Sequence, residues 1–203
     1  TYNISHLLSS TSGRKSIIYR KMRHVFVVGH NIISPLGNTT DANFTAILNG
    51  NSGIQLHNRH EIDDESFYAS LFNESFFLQS EDVLSNNYTP FEYLLIESIK
   101  QAIEKTEIDI TNKDTIIIVS TTKGNINLLK KEKKRSDELV NRISLSQSAQ
   151  LICNKFKNPN KPIIISNACI SGVAAILYGK RILDLGHYKN AIIVGADCVG
   201  QFI

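Results

Sequence analysis

Four short apolar runs, each closed by glycine or by polar residues, constrain the fold more than any other feature. They are His24–Gly29, Thr115–Ser120, Ile163–Ile165 and Ala191–Gly195. A run that is apolar throughout predicts a strand buried on both faces. Patterns of helical periodicity lie between the runs, and the one after Pro90 has a clear apolar face. This alternation predicts an α/β fold, with a mostly parallel sheet covered by helices on both faces.

The segments between the runs predict further elements. Thr40 or Asp41 can cap a helix that Gly50 ends. Residues 54–90 have no sustained period and predict a long surface excursion with short helical pieces. The apolar spacing between Leu139 and Ile152 predicts a single amphipathic helix.

Composition excludes several classes of protein. With 42% apolar residues among 203, a sizeable core can form without disulfides or metal. A net charge of +3 is too small to indicate nucleic acid as the main partner. No apolar window is long enough to span a membrane. The three cysteines are far apart and form no CxxC pair, and His57 with His60 completes no metal pattern. We therefore expect a cytoplasmic protein without a metal site.

The two ends of the sequence predict different things. Residues 1–21 are polar and lack the apolar core of a signal peptide, so we expect an extension or linker outside the fold. The folded domain is expected to span 22–203. Because the sequence stops just after a strand, at Ile203, we expect this domain to be truncated.

Cys169 is the strongest candidate for a reactive group. It lies between an apolar run and a helical pattern, where the free N–H groups and the dipole of a helix N-terminus favour a thiolate. Ligands of open α/β sheets also bind beyond the carboxyl ends of strands. The alternative is that Cys169 is a small buried apolar residue, as free cysteines often are. Cys153 and Cys198 fit that alternative better.

The helical pattern after Cys169 is apolar on nearly all sides. Such a helix is expected inside a protein, so the sequence predicts a buried central helix that ends at Gly186. Gly172, Ala175 and Gly179 lie on or near one face and allow another backbone to approach closely.

Several motifs in order resemble those of the β-ketoacyl-acyl carrier protein synthases. The segment Val27–Gly37, with Gly50–Ile54 one helix later, resembles the start of these enzymes. Asn167–Gly172 resembles their nucleophile motif, and Leu185–Asp197 resembles the segment that follows it. Together the matches span roughly residues 23–200, which makes the resemblance far more specific than one short pattern.

The resemblance implies a thiolase-like fold of two similar halves, of which this chain is the N-terminal half. It implies that Cys169 carries the acyl group as a thioester and that its backbone N–H stabilises the oxyanion, with Asn167, Ala168, Ser171 and Gly172 as the supporting motif. Decarboxylation of a malonyl carrier then drives condensation, in fatty acid or polyketide and polyene synthesis. The catalytic histidines and lysine are expected beyond Ile203, which would leave this chain inactive alone.

The same resemblance implies partners but no cofactor. Substrates arrive on the phosphopantetheine of an acyl carrier protein, and a homodimer or heterodimer forms through the strand at 163–166. The basic run Lys130–Arg135 is either a solvated face or a docking site for the acidic carrier. Asn167 and Ile170 depart from the residues frequent in the family, which indicates a different pocket near the thiol.

Two other functions remain open at the level of sequence. The first is a non-catalytic partner subunit of the chain-length-factor type, although such subunits lack the cysteine that this chain retains. The second is a relative of the thiolases or type III synthases that uses coenzyme A, against which the Ser34–Gly37 opening argues.

Overall fold

The computed structural model describes residues 24–78, 80–85, 87–131 and 136–201. The predicted extension at 1–21 and residues 132–135 of the basic run lie outside these ranges. The helices are α1 Thr40–Leu48, α2 Glu74–Leu78, α3 Glu81–Leu84, α4 Pro90–Ile103, α5 Leu128–Lys131, α6 Asp137–Ile143, α7 Leu145–Lys155 and α8 Ser171–Asp184. The strands are β1 Gln55–His57, β2 Phe67–Ala69, β3 Thr115–Ser120, β4 Ile163–Ile165 and β5 Asn190–Gly195.

The main sheet is a three-stranded parallel sheet in the order β4-β3-β5. Its central strand, β3, is buried at every position, and Ile118 pairs with Ile163 on one side and Ile193 on the other. One face packs on α8, and the other packs on α4 and α7. The structure thus confirms the predicted α/β class and the helix-covered parallel sheet.

The first apolar run is not a strand, which corrects the prediction for His24–Gly29. Its residues form no ladder, and Phe26 and Val27 are 77% and 84% exposed. The segment shares a cavity of about 950 Å³ with β5, α4 and α8. An apolar run becomes a strand only when a neighbour accepts its backbone hydrogen bonds, and periodicity alone does not identify that neighbour.

Three further differences concern the helices and the connecting segments. The single helix expected between Leu139 and Ile152 is two helices, because the extended backbone of Ser144 (φ −66°, ψ 126°) separates α6 from α7. The 54–90 excursion contains the predicted short helices α2 and α3, and also an antiparallel pair, β1 with β2, that the sequence did not indicate. The cap of α1 is Thr39, whose side chain accepts a hydrogen bond from Ala42 N–H, rather than Thr40 or Asp41.

Helix α8 is buried on one face only, so the prediction of a helix enclosed on all sides does not hold within the described chain. Ala175 and Gly179 face the sheet, and a Cβ at Gly179 would lie 2.7 Å from Ile193 Cδ1. On the other side Val173 and Ile176 are 71% and 59% exposed. An all-apolar pattern indicates which side chains a helix could bury. Whether they are buried depends on the elements that pack against the helix.

The end of α8 follows the sequence. Gly186 has φ +72°, and its N–H donates to Leu183 O while His187 N–H donates to Ile182 O. This pair of bonds is the Schellman motif. It favours glycine at position 186, because the backbone there is left-handed and a Cβ would make that conformation costly. Across the described residues, no helix is long and apolar enough to cross a membrane.

Candidate active site

The carboxyl ends of the three parallel strands meet at one edge of the sheet and form a cavity of about 690 Å³. Because the strands are parallel, each contributes the residues that directly follow it. The lining consists of Ser120–Lys123 at and after β3, Ala168, Cys169, Ser171 and Gly172 after β4, and Gly195–Asp197 at and after β5. This is the edge where the sequence places Cys169.

Cys169 lies in a tight turn between β4 and α8, two residues before the first residue of the helix. Ala168 before it has φ +44°, a left-handed conformation that is costly for a residue with a side chain. Cys169 is exposed, in contrast to the buried Cys153. The fold thus holds one thiol at the mouth of a cavity by means of a strained turn.

Ser171 holds this turn together. Its hydroxyl accepts a hydrogen bond from Asn167 N–H and donates one to Ala168 O, both at 2.7 Å. The backbone adds a bond from Ile170 N–H to Asn167 O. Three of the four residues predicted to support Cys169 therefore build its turn. The fourth, Gly172, has open space where a Cβ would stand, so packing within the described chain does not require glycine there.

Asp197 is a further component of the site, although the sequence pattern identifies it only as part of a motif. Its carboxylate accepts hydrogen bonds from the hydroxyls of Thr121 (2.6 Å) and Thr122 (2.7 Å). It also accepts from the backbone N–H groups of Thr122 (3.1 Å) and Lys123 (3.2 Å). Desolvation raises the pKa of Asp197, but these donors together hold it below its ordinary value.

A second carboxylate, Glu92, is fully buried beside Asn125, which lies in the loop that follows β3. It forms a bidentate ion pair with Arg142 and accepts hydrogen bonds from Ser148 (2.8 Å) and from the Asn125 amide (2.9 Å). Burial raises the pKa of Glu92, whereas the bonds from Arg142, Thr89 N–H and Ser148 and the Arg142 charge bring it below its ordinary value.

One half of the Glu92 cluster could be found in the sequence. Thr89 and Glu92 form a capping box at the start of α4, since each side chain accepts from the other's backbone N–H. The Thr-x-x-Glu spacing before an apolar run is the signature of that motif. The partners Asn125 and Arg142 are 33 and 50 residues away, and no local pattern connects them to Glu92.

Of the other two cysteines, Cys153 is fully buried, as the sequence favoured, and Cys198 is half-buried. Burial raises the pKa of Cys153 to about 11. Burial and the neighbouring charge of Asp197 raise the pKa of Cys198 to about 11, against an opposing effect of Lys123. A thiol with such a pKa is almost entirely protonated near neutral pH and is a poor nucleophile.

No histidine is among the described residues that line the cavity. His57 Nε2 lies 3.0 Å from Ala69 O in the small hairpin, and His30 Nδ1 lies 3.0 Å from Thr40 Oγ1. Within the described residues, no three potential metal ligands cluster together. The local chemistry is therefore that of a thiol, the Asp197 carboxylate held by hydrogen bonds and the donors of a helix N-terminus.

Comparisons with known proteins point in one direction. The family model described as "Beta-ketoacyl synthase, N-terminal domain" matches residues 22–201. The 3-oxoacyl-[acyl-carrier-protein] synthase 2 of Vibrio harveyi is 25% identical over 202 residues, covering 86% of this chain and 46% of that enzyme.

Solved structures resemble the chain in fold. The ishigamide ketosynthase/chain length factor superposes with a TM-score of 0.67 at 13% identity, covering 86% of this chain and 53% of that one. A ketosynthase in complex with its chain length factor from Xenorhabdus doucetiae gives 0.66 at 16% identity, covering 86% and 48%. The chain spans about half the length of the relatives it matches.

Proposed function

The chain belongs to the β-ketoacyl synthase family, whose N-terminal domain it matches over residues 22–201, and from that premise we propose that Cys169 is the nucleophile of an acyl-transferring ketosynthase site. The observation that carries the proposal is the exposed thiol, held by the strained turn at Ala168 where three strand ends form a cavity. The raised pKa values of Cys153 and Cys198 leave Cys169 as the thiol suited to this role.

In the proposed first step, the Cys169 thiolate attacks the carbonyl of an acyl thioester carried on the phosphopantetheine of an acyl carrier protein. The carbonyl oxygen becomes an oxyanion, which the backbone N–H of Cys169 stabilises at the start of the helix. The carrier thiolate leaves and takes up a proton, and the acyl group stays on sulfur. Splitting a condensation into two steps in this way is the advantage of covalent catalysis.

In the proposed second step, a malonyl carrier loses CO₂ and its carbanion attacks the acyl-Cys169 carbonyl. The C–C bond forms, the C–S bond breaks, and a 3-ketoacyl carrier is released. The family resemblance implies that histidines and a lysine assist this step, and no described residue that lines the cavity is a histidine. The chain is accordingly expected to be inactive by itself, and neither step calls for a metal or redox cofactor.

The sheet offers an edge for the proposed dimer. β4 lies at the end of the sheet with β3 as its one described strand partner, so its outer backbone groups are open to a strand from another subunit. Pairing through residues 163–166 would also bring the Cys169 turn close to the interface, because the turn follows β4 directly. A homodimer and a heterodimer are both compatible with this edge.

The acyl transfer is tested on the protein that carries this chain, at its natural length. It is incubated with hexanoyl-acyl carrier protein, and the adduct is located by peptide mass spectrometry. The proposal expects an adduct on Cys169 that survives Cys153→Ala and disappears in Cys169→Ala. An adduct retained in Cys169→Ala, or spread equally over Cys153 and Cys198, would refute it.

A second candidate is a non-catalytic partner subunit of the chain-length-factor type. Its support is that the solved structures with similar folds include ketosynthases that are paired with chain length factors. Such a subunit would bind an active ketosynthase but would form no adduct itself. A stable heterodimer in which only the partner is acylated would establish this function in place of the first.

A further inference from the structure

The hydrogen bonds of Asp197 tie two strand ends together at the cavity. Asp197 follows β5, and the residues it binds, Thr121–Lys123, directly follow β3. Both carboxylate oxygens are used, since Oδ1 accepts from Thr121 and from two backbone N–H groups and Oδ2 accepts from the Thr122 hydroxyl. All four donors belong to the segment Thr121–Lys123. They fix the orientation of this segment as well as its position, because a carboxylate accepts hydrogen bonds only along a limited set of directions.

The same segment is also tied to the strand that precedes Cys169. Thr121 N–H donates to Ile165 O, the last residue of β4, and the Thr121 hydroxyl accepts from Gly124 N–H at 3.0 Å. The Asp197 carboxylate thus connects to the end of β4 through one residue. All three strand ends that surround the cavity are held in one network of hydrogen bonds.

Gly195 provides independent evidence that the fold requires the ends of β3 and β5 to lie close together. A Cβ at this position would lie 2.9 Å from Ser120 O, so any side chain would force β5 and β3 apart where they end. Thr121 and Asp197 lie immediately beyond this contact on the two strands. The absence of a side chain at 195 is what lets the carboxylate reach Thr121 and Thr122.

We propose that Asp197 is a positioning residue that, through Thr122, sets the cavity wall formed by Thr121–Lys123, against which an acyl carrier arm lies when its thioester reaches Cys169. This inference rests on the proposed function and adds to it a determinant of the substrate channel. Asp197 touches neither the thiol nor the reacting carbon, so it acts through the segment that it holds. A displacement of such a wall by about 1 Å can cost about 100-fold in rate.

The state of the carboxylate agrees with this role. Its donors hold the pKa of Asp197 below its ordinary value, so the acceptor is charged throughout the neutral range. A group with a lowered pKa in the folded state keeps its contribution above its ordinary pKa and loses it as the pH falls through the lowered value. The wall is therefore expected to loosen only in acid.

The test compares Thr122→Val with Thr122→Ser. Thr122 is exposed, so both variants are expected to fold. Valine keeps the shape but removes the donor to Asp197, whereas serine keeps the donor. We expect Thr122→Val to lower kcat for acylation of Cys169 by roughly 10- to 100-fold, with KM for the acyl carrier changed less than about twofold. Thr122→Ser is expected to recover most of the rate.

Asp197→Asn provides the second variant, since it keeps the size of the side chain and removes one acceptor oxygen. Its matched control is Asp114→Asn, at the opposite end of the sheet, where the carboxylate pairs with Lys189 at 2.6 Å. We expect Asp197→Asn to behave like Thr122→Val and Asp114→Asn to behave like the unaltered protein. Equal rates for Thr122→Val and Thr122→Ser would overturn the inference.

A second measurement separates this inference from the acyl transfer itself. Chloroacetyl pantetheine carries a long arm to the thiol, whereas iodoacetamide does not, and both alkylate sulfur without any catalytic group. We expect Thr122→Val to lower the ratio of the two alkylation rates at Cys169 by about tenfold or more. If the unaltered protein accepts no acyl group, the proposed function falls, and this ratio still decides the role of Asp197: an unchanged ratio rejects it.

Discussion

The buried ion pair between Glu92 and Arg142 allows the effect of one substitution to be worked out from the structure. Glu92 is fully buried, and Arg142 is 25% exposed and contributes both of its terminal nitrogens to the carboxylate. Arg142→Ala would leave a buried charge without its cation. Breaking a buried pair in this way costs about 3–5 kcal/mol.

The lower end of that range applies here. Glu92 keeps its hydrogen bonds from Ser148, Asn125 and the Thr89 N–H, and water can enter the space that the shortened side chain at position 142 leaves. We therefore expect Arg142→Ala to lower the free energy of unfolding by about 3 kcal/mol, a large part of the roughly 5–15 kcal/mol typical of a domain. With an m-value of about 2 kcal/mol per M, the urea midpoint falls by roughly 1.5 M.

The pH dependence gives the prediction its sharpest form. The folded-state pKa of Glu92 is lowered, so its contribution is complete above its ordinary pKa and is lost as the pH falls through the lowered value. Without Arg142, fewer interactions oppose the effect of burial on the carboxyl group, so the pKa of Glu92 rises. The stability difference between the two proteins should therefore be largest at about pH 7 and shrink toward about pH 4.

The assay is urea unfolding followed by circular dichroism at about pH 7, 5.5 and 4, which spans the range in which the linkage acts. Lys100→Ala provides the control, because Lys100 pairs with Glu97 at 2.6 Å on the surface of α4, where an ion pair contributes at most about 0.5 kcal/mol. A loss below about 1 kcal/mol for Arg142→Ala at neutral pH, or a loss that does not change with pH, would refute the reasoning.

Three further predictions follow from single contacts. Gly195→Ala should lower the free energy of unfolding in urea by about 1–3 kcal/mol, because its Cβ would meet Ser120 O. Gly172→Ala, where the space is open, should change it by less than about 1 kcal/mol. Equal effects of the two substitutions would contradict the prediction. Thr89→Ala should cost about 1 kcal/mol by removing the cap of α4, and Thr89→Ser should restore it. With a pKa of about 11, Cys153 should react with iodoacetamide at about pH 8 roughly 100-fold more slowly than an ordinary thiol, measured by mass spectrometry.

Local signals predicted most of the sheet and its helices. The run of isoleucines in β3 indicates burial on both faces, and the Thr-Pro start of α4 supplies a cap as well as a fixed first turn. Gly186 ends α8 through hydrogen bonds that involve only the carbonyls of the last turn of the helix. In each case the cause lies within a few residues of the effect, which is why sequence reasoning succeeds.

The incorrect predictions share the opposite property. Whether Phe26 and Val27 lie in a strand depends on a neighbouring backbone, and whether Val173 is buried depends on a covering surface. The sequence pattern shows Asp197 only as the end of a motif, because its partners are 74 to 76 residues away. The position of Cys169 was predictable from the strand and helix around it, but the walls of its cavity were not.

The carboxylates of Asp197 and Glu92 hold opposite ends of one loop, and this couples the site to stability. Asp197 binds Thr121–Lys123 at the start of the loop, and Glu92 binds the Asn125 amide at its end. Both pKa values are lowered, so each anchor keeps its contribution above its ordinary pKa and loses it in acid. Acid should therefore weaken both the cavity wall and the core ion pair, and a variant that removes one anchor should leave the other as the remaining acid-sensitive step. The loop after β3 is thus held in place by charge at both ends, and its own residues supply the donors and, at Gly124, a left-handed backbone (φ +55°).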